Sequence, residues 1–175
     1  MALLELSGYP LFLYSILTQT ASFPKPCKEW ENGLRDDARH SKPHFRRVSL
    51  LACPCGSALP LAACCGRYHA GDRHLQAPTA EALMRSRYSA YVLGLTDYLL
   101  ATWHPSTRPE SIEADPPGLK WLGLQVRQHQ QQDASHATVD FVARSKLAGR
   151  ARRMQECSRF VCEDGRWLYV DGDVG

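Results

Sequence analysis

Residues 121–147 read WLGLQVRQHQQQDASHATVDFVARSKL, and the alternation along them decides the fold class. Leu122, Leu124 and Val126 alternate with Gly123, Gln125 and Arg127, and later Val139, Phe141 and Ala143 alternate with Asp140, Val142 and Arg144. Successive side chains of a strand point to opposite faces, so this period of two predicts strands with one face turned to a core. The runs MQECSRFVC and RWLYVD, split by the turn residues Glu163 to Gly165, predict two more. Upstream the period is helical. Thr79, after Pro78, is placed to cap a helix whose stripe is Met84, Tyr88, Tyr91, Val92 and Leu95 and which ends near Gly94. Thr96 is placed to cap a second, short helix with Asp97 in its first turn. That helix runs to Trp103, is stopped by Pro105, and offers Tyr98, Leu99 and Trp103 for burial. Helices first and a strand meander after them make an α+β fold with an antiparallel sheet.

A chain of 175 residues holds one ordinary domain and a small appendage. With 44% hydrophobic and 22% charged residues it can bury a core. A net charge of +3 is too balanced for nucleic-acid binding by bulk charge, so no DNA partner is expected and any basic patch is local. The one such patch is RSKLAGRARR, Arg144 to Arg153, five positive charges around a glycine turn. A solvated hairpin tip is its expected reading; RNA phosphates or an acidic protein are its alternative partners. Leu11 to Thr20, the longest apolar-leaning run, falls short of the roughly 20 apolar residues of a membrane span. The first residues carry Glu5, Gly8 and Pro10 and no early basic residue, which makes a poor signal peptide and predicts a cytoplasmic address. Residues 1–47 lack a sustained period and are expected to be a disordered tail or the product of a start site placed too early, with Val48 as the alternative start.

Of seven cysteines, Cys27, Cys157 and Cys162 lie apart, whereas Cys53, Cys55, Cys64 and Cys65 form the pattern C-x-C-x8-C-C. Clustered thiols in a chain without a secretion signal point to metal before disulfides. Four soft thiolates suit one tetrahedral zinc ion per chain, with iron as the other metal the same shell accepts. A shell filled by protein has no position open for water, so the site is expected to be structural.

CPCGS followed by CCG, then RYHAG, LMRSRYSAYV (83–92), DYLLATWHP (97–105), WLGL (121–124), ECSRFV and GRWLYVDG occur in one order. Together they resemble the YchJ family over about residues 52–173. The resemblance implies a SEC-C type zinc knuckle at 52–68, joined to a cone-shaped, NTF2-like domain at 77–173 in which N-terminal helices pack on a curved antiparallel sheet. It implies no particular enzymatic activity. Some relatives of this fold place an Asp and a His in the cone for proton transfer, which makes Asp97 and His104 candidates, with Tyr88, Tyr91 and Asp140 beside them. Their spacing encodes no catalytic template, so they are expected to serve helix ends and core packing. Arg85 and Arg87 are expected to be exposed or paired with the acidic loop. The expected function is that of an adaptor whose knuckle meets a protein or ribosomal partner; the rival is an enzyme or small-ligand binder using the cone.

Overall fold

The structure is a computed structural model that describes residues 51–175; the expectations for residues 1–47 and for Cys27 lie outside the described residues. A one-turn 3-10 helix at Leu61–Ala63 precedes α1 (Gly66–His69), α2 (Ala80–Leu93) and α3 (Thr96–Ala101). Then come β1 (Lys120–Gln131), β2 (His136–Leu147), β3 (Arg150–Glu163) and β4 (Arg166–Val174), which form an antiparallel sheet in the order β1-β2-β3-β4. The chain therefore has the predicted α+β architecture of helices followed by an antiparallel sheet, with the cysteine module ahead of it. Among the described residues no helix is long and apolar enough to cross a membrane.

Local chemistry explains the boundaries. The Thr79 hydroxyl accepts the Ala82 N–H at 3.1 Å to open α2, and Gly94, at φ +68°, closes it in the left-handed conformation a side chain would resist. Asp164 and Gly165 link β3 to β4 with φ of +50° and +74°, the two positive values a tight hairpin turn requires. Helix α3 differs from expectation at both ends: Thr96 is its first residue, with Leu95 in the cap position and no side-chain cap, and it stops at Ala101, short of Trp103. The Thr102 hydroxyl bonds back to the Tyr98 carbonyl. Beyond it the chain runs along β4: Tyr169 N–H donates to the Thr102 carbonyl at 2.9 Å, and His104 N–H to the Tyr169 carbonyl at 2.7 Å.

Two further expectations change. Burial on α2 is wider than the predicted stripe: Leu83, Ser86, Arg87, Ser89 and Ala90 are buried along with Met84 and Tyr88. The helix lies between the sheet on one side and α1 and α3 on others, so little of it is left for water. In β1, Leu122 does not join the buried row. Trp121 pairs with Ser145 and Gly123 with Arg144, so Leu122 is the extra residue of a bulge and is 54% exposed. The bulge reverses the phase, and Trp121 packs on the core with Leu124 and Val126.

The core joins α2 and α3 to β2, β3 and β4 through Leu83, Met84, Leu99, Phe141, Phe160 and Tyr169. Glu156 enters it too. It is fully buried, accepting from the Ser158 hydroxyl at 2.6 Å and the Tyr169 hydroxyl at 3.1 Å. Gly172 makes room for this carboxyl, since a Cβ there would lie 2.2 Å from Glu156 Oε1. Gly172→Ala is therefore expected to cost about 1–3 kcal/mol through overpacking. Chemical denaturation measures it, and an unchanged unfolding midpoint would show that the carboxyl can move aside.

Candidate metal centre

The cysteine module folds through short backbone bonds. Cys53 N–H donates to the Leu59 carbonyl at 2.8 Å and Leu61 N–H to the Leu51 carbonyl at 2.8 Å, so the segment doubles back on itself. Gly56, at φ +79°, curls the chain after Cys55, and its N–H reaches the Cys53 carbonyl at 3.2 Å. The 3-10 turn then delivers Cys64, and Cys65 caps α1.

The four sulfurs converge, all within 4.8 Å of one another. Cys55 and Cys64 Sγ are 3.6 Å apart, and Cys64 and Cys65 Sγ 3.9 Å. A tetrahedron with metal–sulfur bonds of about 2.3 Å has edges of about 3.8 Å; the Cys55–Cys64 and Cys64–Cys65 separations already match that edge, and the widest pair needs to draw in by no more than about 1 Å to complete it. Cys53, Cys55 and Cys65 are buried and Cys64 is half-buried. Such a cluster can hold a metal ion.

Electrostatics favour the same conclusion. Hydrogen bonds from Cys55 and Cys65 pull the Cys53 thiol far down, and those to Cys53 and Cys55 push Cys65 far up. Burial raises Cys64. One thiolate in this cluster thus opposes ionisation of its neighbours, and only a cation makes four of them compatible.

Support comes from residues to which the sequence reading gave no part in the metal site. Ser57 Oγ lies 3.1 Å from Cys64 Sγ, and Ser89 Oγ, on α2, lies 3.5 Å from Cys53 Sγ. Arg85 donates to the Cys55 carbonyl at 3.2 Å while its Nε bonds Glu81 at 2.8 Å, so the partner of Arg85 is on its own helix and not in the acidic loop. The contacts of Ser89 and Arg85 come from residues 30 or more positions away, a distance that no local motif reports. His69, the next histidine after the cysteines, places Nε2 2.9 Å from the Ser86 carbonyl and so is engaged on α2.

The acid–base candidates do not meet. Asp97 is exposed on the first turn of α3 and makes no hydrogen bond among the described residues. His104 sits beyond the other end, with Nδ1 2.6 Å from Ser106 Oγ and Nε2 3.3 Å from Glu163 Oε1. Asp140 accepts from Gln155. Tyr88 and Tyr91 line a cavity between α2 and the sheet together with Arg87, Trp121, Phe141 and Ser158, and burial pushes both phenols up to about 12. That cavity measures about 20 Å³, room for about one water. Arg87, expected outside, is 5% exposed: it donates to the Leu99 carbonyl and the Thr102 hydroxyl, each at 2.7 Å, and stacks on Trp103 and Tyr169.

Residues 79–172 match the family model described as YchJ, middle NTF2-like domain. A UPF0225 protein of Bordetella parapertussis is 62% identical over 126 residues, covering 72% of this chain and 95% of that protein. One from Methylibium petroleiphilum is 56% identical over 138 residues, covering 79% and 93%. Among solved structures, a SEC-C motif containing protein from Rhodopseudomonas palustris superposes with a TM-score of 0.61 at 32% identity, over 70% of this chain and 98% of its own. A second SEC-C motif containing protein, from Psychrobacter arcticus, gives 0.57 at 29% identity, over 70% and 82%.

Proposed function

The chain belongs to the YchJ (UPF0225) family, and from that premise and its cysteine cluster we propose a zinc-binding cytoplasmic adaptor. In this reading Cys53, Cys55, Cys64 and Cys65 hold one zinc ion, and the knuckle it stiffens is offered to a protein or ribosomal partner. The observation that carries it is the convergence of four sulfurs within 4.8 Å. A tetrahedral ion held by four sulfurs keeps no position for substrate, so its work is to shape a surface. Leu51 and Leu59, on the two arms of the knuckle, are 55% and 50% exposed and supply an apolar contact there. The NTF2-like domain serves as a rigid base: Arg85 and Ser89 hold the knuckle to α2, and Leu124 of β1 packs against its cysteines.

Co-sedimentation with ribosomes, followed by cross-linking to name the contacted protein, tests this reading. Cys65→Ser and Leu59→Asp are each expected to abolish the association, the first with loss of metal and the second without it. Asp97→Asn combined with His104→Ala should keep it and change stability by no more than about 1 kcal/mol, the worth of charges at a helix end. Association that survives both knuckle variants would refute the adaptor. A substrate turned over by wild type and not by the Asp97/His104 variant would establish the enzyme instead.

A further inference from the structure

Ala137, Val139, Phe141 and Ala143 of β2 face the core, so Thr138, Asp140, Val142, Arg144 and Lys146 belong to the other face of the sheet. Thr138 and Val142 are buried there too, and the face is open at the end that carries Arg144 and Lys146. Register then places like charges directly opposite each other on it. Lys120 of β1 pairs with Lys146 of β2, and Arg144 of β2 with Arg153 of β3, all four exposed. Cross-strand like charges repel and weaken a ladder, yet no acid is interposed here. Among the described residues Lys120 and Lys146 have no hydrogen-bond or ion-pair partner, and the two arginines reach only the side-chain oxygens of Gln125 and Gln155. The next acid on this face of β2, Asp140, is occupied by Gln155. The face is polarised as well: its acids Asp171 and Asp173 gather on β4, where both pair with Arg159.

The rest of the face narrows the choice of anion. Gln125, Gln128, Gln130 and Gln155 pair with Val142, Asp140, Thr138 and Val142 and so lie on the same side. A row of amides that both donate and accept suits a ribose 2′-hydroxyl, which also does both, whereas a carboxylate-rich peptide would use only their N–H groups. The large apolar residues exposed among the described residues are leucines and a valine, with no aromatic to stack an unpaired base. A duplex, read through backbone and 2′-hydroxyls, needs none.

We propose that the open, basic end of this sheet face, Lys120, Arg144, Lys146 and Arg153 with the adjoining glutamines, docks the phosphate–ribose backbone of double-stranded, A-form RNA. This is a surface separate from the metal-held knuckle, and it goes beyond the adaptor reading.

Fluorescence anisotropy on the full chain in its metal-loaded form, with a labelled RNA duplex of about 20 base pairs and a salt series, is the test. Affinity should fall linearly with salt on logarithmic axes. Arg144→Gln with Arg153→Gln should weaken binding at least about tenfold near 0.1 M salt and reduce the slope by about 2. The same variant should keep its metal and melt no lower than wild type, because the repulsion is relieved, so that lost binding cannot be ascribed to unfolding. Arg144→Lys with Arg153→Lys should restore most of the affinity. Absence of duplex binding at low salt, or an unchanged slope in the glutamine variant, would overturn the proposal. So would equal affinity for a B-form DNA duplex, or tighter binding of single-stranded RNA or polyglutamate. Cys64→Ser should leave RNA binding intact, which keeps this outcome separate from that of the knuckle.

Discussion

Protein purified under reducing conditions is expected to carry about one zinc ion per chain, and Cys64→Ser to lose most of it. Apparent binding free energies of small structural zinc sites are on the order of 10–16 kcal/mol, and a missing thiolate removes one of four bonds. The remaining sulfurs cannot compensate, because Cys157 and Cys162 lie on β3 and outside the cluster of four. Replacing either of those should leave metal content unchanged. Since the ligands must give up protons to bind, release should occur as pH falls. The domain should outlast its metal: the cysteines form a small cluster of their own with Leu61, which meets the main core at Leu124. Elemental analysis with circular dichroism reads both outcomes. Freshly reduced protein without stoichiometric metal would sink the zinc reading, and iron in the same shell would keep the ligands while correcting the metal.

How much of this was legible depended on whether the signal was local. The C-x-C-x8-C-C spacing, the Thr79 and Gly94 caps and the period-two runs each express a rule that acts within a few residues, and the structure follows them. The bulge at Leu122 escaped because alternation alone does not reveal an inserted residue; the register against Ser145 and Arg144 does. Arg87 escaped for a different reason. A charged residue on a helix is ordinarily solvated, and its burial rests on acceptors and rings from two other stretches of chain: the Leu99 carbonyl, the Thr102 hydroxyl and Trp103 in one, and Tyr169 of β4 in the other. Glu156 did leave a trace, since it falls in phase with Ser158 and Phe160 on the inward side of β3. A carboxylate in that phase announces either an error in register or a partnered buried acid, and only the fold separates the two.

Arg87→Ala is expected to be the most damaging single change inside the domain, at about 3–5 kcal/mol, or a melting point lower by roughly 10–20 °C. Truncation leaves the Leu99 carbonyl and Thr102 hydroxyl short of a donor, strips a cation from two ring faces, and removes the positive charge acting on Glu156. Burial raises the Glu156 carboxyl above its ordinary range, and Ser158, Tyr169 and Arg87 oppose that rise. The sign of the pH effect follows. A carboxyl raised in the folded state holds its proton there while the unfolded chain has released it, so this group's contribution to stability falls as pH climbs from the unfolded pKa through the folded one. Without Arg87 the folded pKa rises further, and the loss caused by Arg87→Ala should grow toward neutral pH. Glu156→Gln removes the titration while its amide oxygen can still accept from Ser158 and Tyr169. Added to Arg87→Ala it should recover about 0.5–3 kcal/mol, the range of coupling between groups that share a buried network. Urea denaturation of the two single variants and the double variant across pH 5–8 measures all of this. A loss below about 1 kcal/mol, or one that neither grows with pH nor shrinks when Glu156 is neutralised, would mean that the guanidinium serves as packing and not as the counter-charge of the buried carboxyl.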